Sequence, residues 1–309
     1  MSIENARLLK GTQHSYIYYP GETSFIISKG RFALVYPALM MPEKKKVICK
    51  QLHPGLVGND ENRFRFLLEA SVQTDSDTIV KNLDLIANDD GLFLIQEYVE
   101  GIDMHNYLAS MRISKQRRET EVIKLTLSIL NSLIPLHEAG YIHCGLKPSS
   151  ILVTRPPTAE NDFPEVKLID LYLCQSNKLI PPQNTSPRTP YNIKYSAPEL
   201  LLRHNNLVNP STDLFSLGIL LFEYVAGVAP HKFTNPIQMV QMQVSAPIPS
   251  HDHISDRLMS VILKACEKPA FRQAPGAYSH QQARELIAES MQYRYAGCKS
   301  MAVDLLKIL

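Results

Sequence analysis

Residues 141–152 read YIHCGLKPSSIL, with Gly145 near the centre of the stretch. The twenty residues before it, EVIKLTLSILNSLIPLHEAG (121–140), predict a long amphipathic helix that ends at a glycine. Further along, DLFSLGILLFEYVAGV (213–228) is apolar nearly all round, which is typical of a buried helix. The stretch therefore lies within a mainly helical region.

The first hundred residues have a different character. Two β-branched and aromatic runs, 23–40 and 45–52, flank the turn signal MPEKKK and predict consecutive strands. Residues 62–75 have helical spacing, and 91–101 predict a strand that ends in a turn. Further helices are predicted over 257–268 and 279–294. The pattern indicates an α+β fold with a small antiparallel β lobe, residues 1–98, followed by a larger helical lobe, residues 99–309.

Composition limits the function classes. The chain has 309 residues, of which 45% are hydrophobic and 20% charged, as in globular proteins. The net charge of +2 is too small to attract the whole protein to nucleic acid or to a membrane surface. The most apolar segment, 214–229, is short for a membrane span and Glu223 interrupts it. Five widely spaced cysteines favour free thiols, so a cytoplasmic protein is expected.

Several motifs occur in an order that resembles the protein kinase fold over roughly residues 20–290. The matching residues are Val47-Ile48-Cys49-Lys50, Glu69, Glu97-Tyr98-Val99-Glu100-Gly101 preceded by Gln96, His143, Leu146-Lys147-Pro148, Lys167-Leu168-Ile169-Asp170, Ala197-Pro198-Glu199, Asp213 and Arg272. By this resemblance, Lys50 pairs with Glu69, and Arg272 pairs with Glu199. Any one motif is weak evidence, but their shared order favours a kinase-like fold over an unrelated α+β protein.

The stretch 141–152 departs from the kinase catalytic loop, H-R-D-L-x-x-x-x-N. Gly145 occupies the position of the aspartate that accepts the substrate proton, and glycine has no side chain to do so. Cys144 replaces the arginine, and Ser150 replaces the metal-binding asparagine. The sequence therefore assigns no catalytic residue. General acid–base catalysis typically contributes about two to four orders of magnitude in rate, so this loss alone does not force zero activity.

Other departures affect nucleotide binding. The D-F-G motif is Asp170-Leu171-Tyr172, which keeps the acid and lacks the flexible glycine. In the phosphate-covering loop, Ser28 to Val35, only the middle glycine, Gly30, remains. Ile48 replaces the alanine that lies over adenine and is expected to narrow the slot.

The resemblance implies ATP and Mg²⁺ as cofactors. The nucleotide-binding positions are Lys50, Glu69, Glu97, Val99, Lys147, Leu152, Gly30 and Val35, and the metal-binding positions are Asp170 and Ser150. Two alternatives remain open: the Lys50–Glu69 pair could hold the helix on the strands without a ligand, and Asp170 could serve only as a polar anchor for its loop.

Two functions fit these observations. In the first, the chain is a pseudokinase, a kinase fold that acts as a binding or regulatory module with weak or absent ATP binding. In the second, it is an ATP-dependent transferase with low or rearranged activity that uses Lys50 and Asp170. The first predicts a protein partner, with segment 171–198 and its Tyr191, Ile193 and Tyr195 as the expected exposed anchor. The alternative for Tyr195 is that it packs on the large lobe.

Overall fold

The computed structural model describes residues 6–20, 26–111, 114–159, 162–176, 178–179, 191–232 and 235–309. These residues form two compact units, and the chain passes from the first unit to the second after Glu100.

The first unit is a β-sheet with one α-helix. Its elements are β1 (Arg7–Lys10), β2 (Ser15–Tyr18), β3 (Ser28–Lys29), β4 (Ala33–Met41), β5 (Lys45–Leu52), α1 (Asp60–Ser71), β6 (Asn82–Asn88) and β7 (Gly91–Glu97). The described strands pair antiparallel in the order β1-β2-β4-β5-β7-β6, and β3 pairs with β4. Antiparallel pairing follows from the short connections between consecutive strands.

One face of this sheet forms an apolar core. Side chains alternate across a strand, so Tyr36 on β4 and Val47 and Cys49 on β5 point to the same side and are buried. They pack with Tyr18 and Phe93, and Tyr18 meets the Tyr36 ring edge-on with 5.3 Å between ring centroids. The opposite face is therefore left for the remaining residues of β4 and β5, including Lys50.

Asp84 on β6 connects the two ends of the strand order. Its carboxylate accepts hydrogen bonds from the Thr12 backbone N–H at 2.9 Å and from the Tyr16 hydroxyl at 3.3 Å. Burial and the Asp84 charge raise the pKa of Tyr16 to about 12, so its hydroxyl stays a donor. A side chain at Gly11 would overlap the Asp84 carboxylate, which explains the glycine there. These contacts curl the sheet.

The second unit is mainly helical. Its elements are β8 (Ile102–Asp103), α2 (Met104–Ser110), α3 (Lys115–Glu138), β9 (Tyr141–Ile142), β10 (Ile151–Arg155), β11 (Glu165–Leu168), β12 (Gln175–Ser176), α4 (Pro198–Leu201), α5 (Pro210–Ala226), α6 (Pro236–Ser245), α7 (Asp256–Ala265), α8 (His280–Met291) and α9 (Cys298–Leu306). The short strands form two small antiparallel sheets, β11-β10-β8 and β12-β9.

Helix α5 is the centre of this unit. Its start is set by a capping box, in which the Asn209 and Thr212 side chains satisfy each other's backbone N–H groups, and Pro210 begins the first turn. It ends at Gly227, which adopts the left-handed conformation with φ of 80°. Nearly all of its side chains are buried, and it packs on α3 and α7.

The predicted fold class is confirmed: a β-rich unit precedes a larger helical one. The predicted helices were found with ends shifted by up to six residues. Strands β1, β2 and β6 and helices α2, α6 and α9 had not been predicted individually. No described helix is both long enough and apolar enough to cross a membrane. No disulfide joins the five cysteines, all of which lie in described regions.

We expect Asp84→Asn to lower the free energy of unfolding by about 1–3 kcal/mol, because it replaces a charged acceptor that serves the backbone and hydroxyl of Thr12 and the hydroxyl of Tyr16. Urea unfolding measures the change. Asp89→Asn, an exposed carboxylate in the β6–β7 turn, provides the control. Equal stability of the two variants would show that Asp84 does not join the sheet ends.

Candidate functional site

Segment 141–152 is folded as an anchored loop. It runs from β9 through a 3₁₀ turn, Pro148–Ser150, into β10. The Gly145 backbone N–H lies 3.2 Å from Nδ1 of His143, which accepts its hydrogen bond. A Cβ added at Gly145 would meet Leu173 Cβ at 3.4 Å and His143 Nδ1 at 3.5 Å, which are ordinary contacts. The backbone would therefore accept a side chain at this position.

Asp213 on α5 holds this loop. Its carboxylate accepts hydrogen bonds from the backbone N–H groups of His143 and Cys144, each at 2.8 Å, and from Nε2 of His137 at 2.8 Å. Burial alone would raise the pKa of Asp213, but the hydrogen bond and charge of His137 and the hydrogen bond from the His143 backbone N–H outweigh it and lower that pKa. Asp213 is therefore ionised where it binds the loop, and Cys144 keeps a left-handed φ of 57°.

His143 is a packed scaffold residue, as its sequence context indicated. It is fully buried. Burial lowers the pKa of His143, although the negative charges of Asp213 and Asp170 oppose the shift. The neutral ring accepts the Gly145 N–H, so it supports the backbone at the position where the acid is missing.

Lys147 and Asp170 form an ion pair, with 2.7 Å between Nζ and Oδ2. About a third of each side chain is exposed, at 33% and 37%, so the pair is open to solvent. Ser150 is fully buried instead. Its hydroxyl donates to the Lys147 carbonyl oxygen and accepts from the Lys147 N–H, at 2.9 and 3.0 Å. Those two bonds close the 3₁₀ turn and leave Ser150 poorly placed to bind a metal.

Asp170 adopts the left-handed conformation, with φ and ψ both 64°. A short 3₁₀ turn, Leu171–Leu173, follows it. Leu171 and Tyr172 are both buried, at 0% and 3% exposure. The residue that replaces the glycine of the motif is therefore a buried tyrosine.

In the first unit, Lys50 and Glu69 form a buried ion pair. Nζ of Lys50 lies 2.6 Å from Oε1 of Glu69, and the side chains are 8% and 0% exposed. On the same sheet face, Val35 is directly opposite Lys50, and Gln96 is directly opposite Ile48. Val35 and Ile48 are half-buried, so the enlarged residue is on the face that the resemblance assigns to the base.

The remaining predicted positions in this unit lie near strand ends. Gly30 is in the turn between β3 and β4, where its carbonyl oxygen lies 2.9 Å from Nε2 of His53. A Cβ at Gly30 would come within 3.1 Å of the Ala33 carbonyl oxygen, so glycine relieves a close approach. Glu97 ends β7, and its carboxylate accepts from the Lys81 N–H at 2.8 Å.

Val99 and Leu152 are both half-buried. Val99 lies in the irregular segment after β7, whereas Leu152 belongs to β10 in the second unit and pairs with Asp103 of β8. The structure thus places every predicted site residue, and within each unit it brings Lys50 to Glu69 and Lys147 to Asp170.

The predicted Arg272–Glu199 pair is wrong. Arg272 is exposed, and its backbone N–H donates to the Tyr278 hydroxyl. Arg294 pairs with Glu199 instead, with its Nη1 3.0 Å from both carboxylate oxygens. Both side chains are fully buried, and the Arg294 guanidinium also lies 4.9 Å from the Phe215 ring centroid. A buried carboxylate requires a buried partner, which only the second arginine provides.

The predicted exposure of Tyr191 is also wrong, whereas Tyr195 is buried, in agreement with the packed alternative. Tyr191 is 7% exposed and packs with Cys144 and Leu200, because the apolar thiol replaces a charged side chain there. Tyr195 is 5% exposed, and its hydroxyl donates to Glu223 at 2.9 Å, as the alternative had it. Ile193 is half-buried. Within segment 171–198, residues 177 and 180–190 lie outside the described part of the chain.

Asp170 is the one predicted metal ligand whose side chain remains suitable. The described residues contain no group of three or more His, Cys, Asp or Glu side chains that could hold a metal ion. Mg²⁺ is commonly held by one or two carboxylates together with substrate phosphates and water. An exposed carboxylate beside a lysine therefore fits a magnesium–phosphate group, whereas a metal held by protein ligands alone does not fit.

Comparisons with known proteins give one family. Residues 22–289 match the family described as "Protein kinase domain". "Probable serine/threonine-protein kinase CPE1738" of Clostridium perfringens is 27% identical over 272 residues, which are 85% of this chain and 36% of that protein. "Serine/threonine-protein kinase pkn3" of Myxococcus xanthus is 26% identical over 271 residues, 84% of this chain and 48% of that protein. The chain spans less than half the length of these relatives.

We expect acid to destabilise the loop. Folded His143 resists protonation, whereas an unfolded histidine takes up a proton below about pH 6.5. The free energy of unfolding should therefore fall as the pH decreases from about 7.5 to 5. Asp213 stays ionised across that range, and its contribution is lost only below its ordinary pKa of 3.8. Urea unfolding measures this slope.

His143→Gln should make the slope shallower, and His253→Gln, at an exposed position, should leave it unchanged. A wild-type protein whose stability is constant or rises towards pH 5 would contradict the expectation.

Proposed function

Because the chain belongs to the protein kinase domain family, we propose that it is a pseudokinase that binds partners and has lost efficient phosphoryl transfer. The observation that carries the proposal is the state of the loop around Gly145. The loop is folded, and Asp213 anchors its backbone at His143 and Cys144. The position of the proton acceptor nevertheless carries no side chain. The loss concerns the chemistry and leaves the scaffold intact.

The proposal includes weak nucleotide binding. In the first unit, Lys50, held by Glu69, would neutralise phosphate oxygens of ATP. In the second unit, the Asp170 carboxylate would bind Mg²⁺. The other positions that kinases use to bind the nucleotide are occupied here by Glu97, Val99, Leu152, Val35 and Gly30. Bound ATP would supply a transferable phosphoryl group and negative charge. Ile48 opposes binding, because it adds bulk on the face that carries Lys50.

The second candidate is an ATP-dependent transferase with low or rearranged activity. It is favoured by the two ion pairs, Lys50–Glu69 and Lys147–Asp170, which are both formed. Lysine and carboxylate groups held in this way could support transfer without a base at position 145. Three losses weigh against it: Gly145 lacks the base, Tyr172 replaces the glycine of the D-F-G motif, and Ser28 and Ala33 replace two glycines of the phosphate-covering loop. These departures favour the pseudokinase.

A protein partner remains part of the proposal. The buried Tyr191 and Tyr195 cannot serve as exposed anchors, so partner contact through segment 171–198 would have to use other residues of that segment. The segment also contains Thr185, Ser186 and Thr189, whose hydroxyl groups could accept phosphate from another kinase and which lie outside the described residues. Whether the relatives' kinase activity applies to this chain is tested by the following two experiments.

We expect negligible transfer of radiolabelled phosphate from ATP to generic protein substrates by the wild type. Gly145→Asp should raise the rate by about 10²–10⁴-fold, the usual contribution of a positioned base, because the backbone accepts a Cβ there. Gly145→Asn is the matched control, with a similar shape and no basic group. The pseudokinase proposal would be overturned if the wild type transferred phosphate at a robust rate and Asp170→Ala abolished that transfer.

We expect weak ATP binding that depends on Lys50. Calorimetry should show at least about tenfold lower affinity for Lys50→Met, since a charge-assisted contact to phosphate is lost. Ile48→Ala should strengthen binding by removing bulk. Lys45→Met, an exposed lysine on the same strand, should have no effect. Tight binding that survives Lys50→Met would show that the pocket is used differently.

A further inference from the structure

Asn82, the first residue of β6, caps the C-terminal end of α1. Its side-chain nitrogen lies 2.6 Å from the carbonyl oxygen of Glu69 and 3.2 Å from those of Ala70 and Val72. The last carbonyl groups of a helix lack partners within the helix. The last turn of α1 contains no basic residue. Asn82 therefore supplies donors to all three carbonyl groups, of which that of Glu69 also accepts from the Val72 backbone N–H at 3.2 Å.

Gln96 on β7 fixes the orientation of the Asn82 amide. Nε2 of Gln96 donates to Oδ1 of Asn82 at 2.8 Å, so the Asn82 amide nitrogen must point towards α1. Gln96 is 4% exposed and lies directly opposite both Asn82 and Ile48 in the sheet. Side-chain hydrogen bonds thus lead from β7, which pairs with the strand that carries Ile48 and Lys50, through Asn82 to the end of α1.

This chain of hydrogen bonds ends at the residue that holds Lys50. The carbonyl group of Glu69 accepts from Asn82, while its carboxylate binds the Lys50 ammonium at 2.6 Å. Glu69 is fully buried near the end of α1. A shift of this last turn would withdraw the carboxylate and leave Lys50 without its buried partner.

We propose that Asn82 is a positioning residue that keeps α1 in the place where Glu69 binds Lys50, with Gln96 orienting its amide. The proposal deepens the proposed function, because it names what keeps the Lys50–Glu69 pair formed before a nucleotide arrives. The contacts of Asn82 with α1 then keep the Lys50–Glu69 pair formed, and no ligand is needed to assemble it.

The first test measures acylation of Lys50 by a succinimidyl ester, followed by peptide mass spectrometry on the whole chain without nucleotide. Asn82→Asp keeps the shape of the side chain and replaces the donor by a carboxylate that faces three carbonyl oxygens. Loss of a buried hydrogen bond shifts an equilibrium by about tenfold, here towards the arrangement in which the last turn of α1 is displaced. Lys50 is then not paired with Glu69, so it should react about ten times faster. Gln96→Leu should give a smaller increase.

Gln51→Glu is the matched control. It makes the same amide-to-carboxylate change in the same sheet, at a side chain that donates to the Asp90 carbonyl group. Lys50 should keep its wild-type reactivity in this variant, to within about twofold. Asn82→Leu removes the donor without adding a charge and replaces Asn82→Asp if that variant does not fold. Circular dichroism and melting temperature identify the folded variants.

The second test is a double-mutant cycle on ATP affinity. Lys50→Met should weaken binding in the wild type and have much less effect when Asn82→Asp is present, because Lys50 is then already misplaced. Wild-type acylation of Lys50 in folded Asn82→Asp and Asn82→Leu, or equal acceleration by Gln51→Glu, would overturn the positioning role. Absence of ATP binding would contradict only the nucleotide part of the proposed function, and the acylation result would still decide the role of Asn82.

Discussion

The Asp213 carboxylate organises the second unit. It is fully buried, and it accepts hydrogen bonds from the consecutive backbone N–H groups of His143 and Cys144. Cys144 is held there in the left-handed region, which costs roughly 1–3 kcal/mol for a residue other than glycine. The first turn of α5 favours a negative charge at Asp213. A carboxylate in the first turn of one buried helix thus sets the geometry of the loop that contains Gly145.

The two lysine–carboxylate pairs differ in how much they contribute to the stability of the fold. Lys147–Asp170 is about one third exposed, and such pairs typically contribute about 0–1 kcal/mol, so either partner can turn to a ligand at little cost. Lys50–Glu69 is buried, and removing one partner of a buried pair typically costs about 3–5 kcal/mol. Retention of Lys50 therefore has a structural explanation as well as a functional one. The Lys147–Asp170 ion pair by itself is a weaker structural reason to retain Asp170 than the Lys50–Glu69 pair is to retain Lys50.

Motif order was enough to predict the fold class and the Lys50–Glu69 pair, because the order and spacing of short motifs carry that information. The partner of Glu199 depends on how distant helices pack, which spacing alone does not show. A signal was present: Arg294 follows an amphipathic helix, whereas Arg272 lies in a segment with prolines on both sides. Strands β1 and β2 have only four residues each and depend on pairing with β4 and on Asp84. Tertiary contacts of this kind leave no local pattern.

The segment after Asp170 links structure to function. In an active kinase a glycine allows this hinge to move, whereas here Leu171 and Tyr172 are both buried. Displacing the segment would expose a leucine and a tyrosine, each of which gains roughly 1.5–3 kcal/mol from burial. The burial of Leu171 and Tyr172 therefore favours the observed arrangement of this segment over one in which it repeatedly moves away. A chain with a fixed Asp170 segment and no base at position 145 is better suited to present a constant surface than to complete a catalytic cycle, which supports the pseudokinase proposal over a slow transferase.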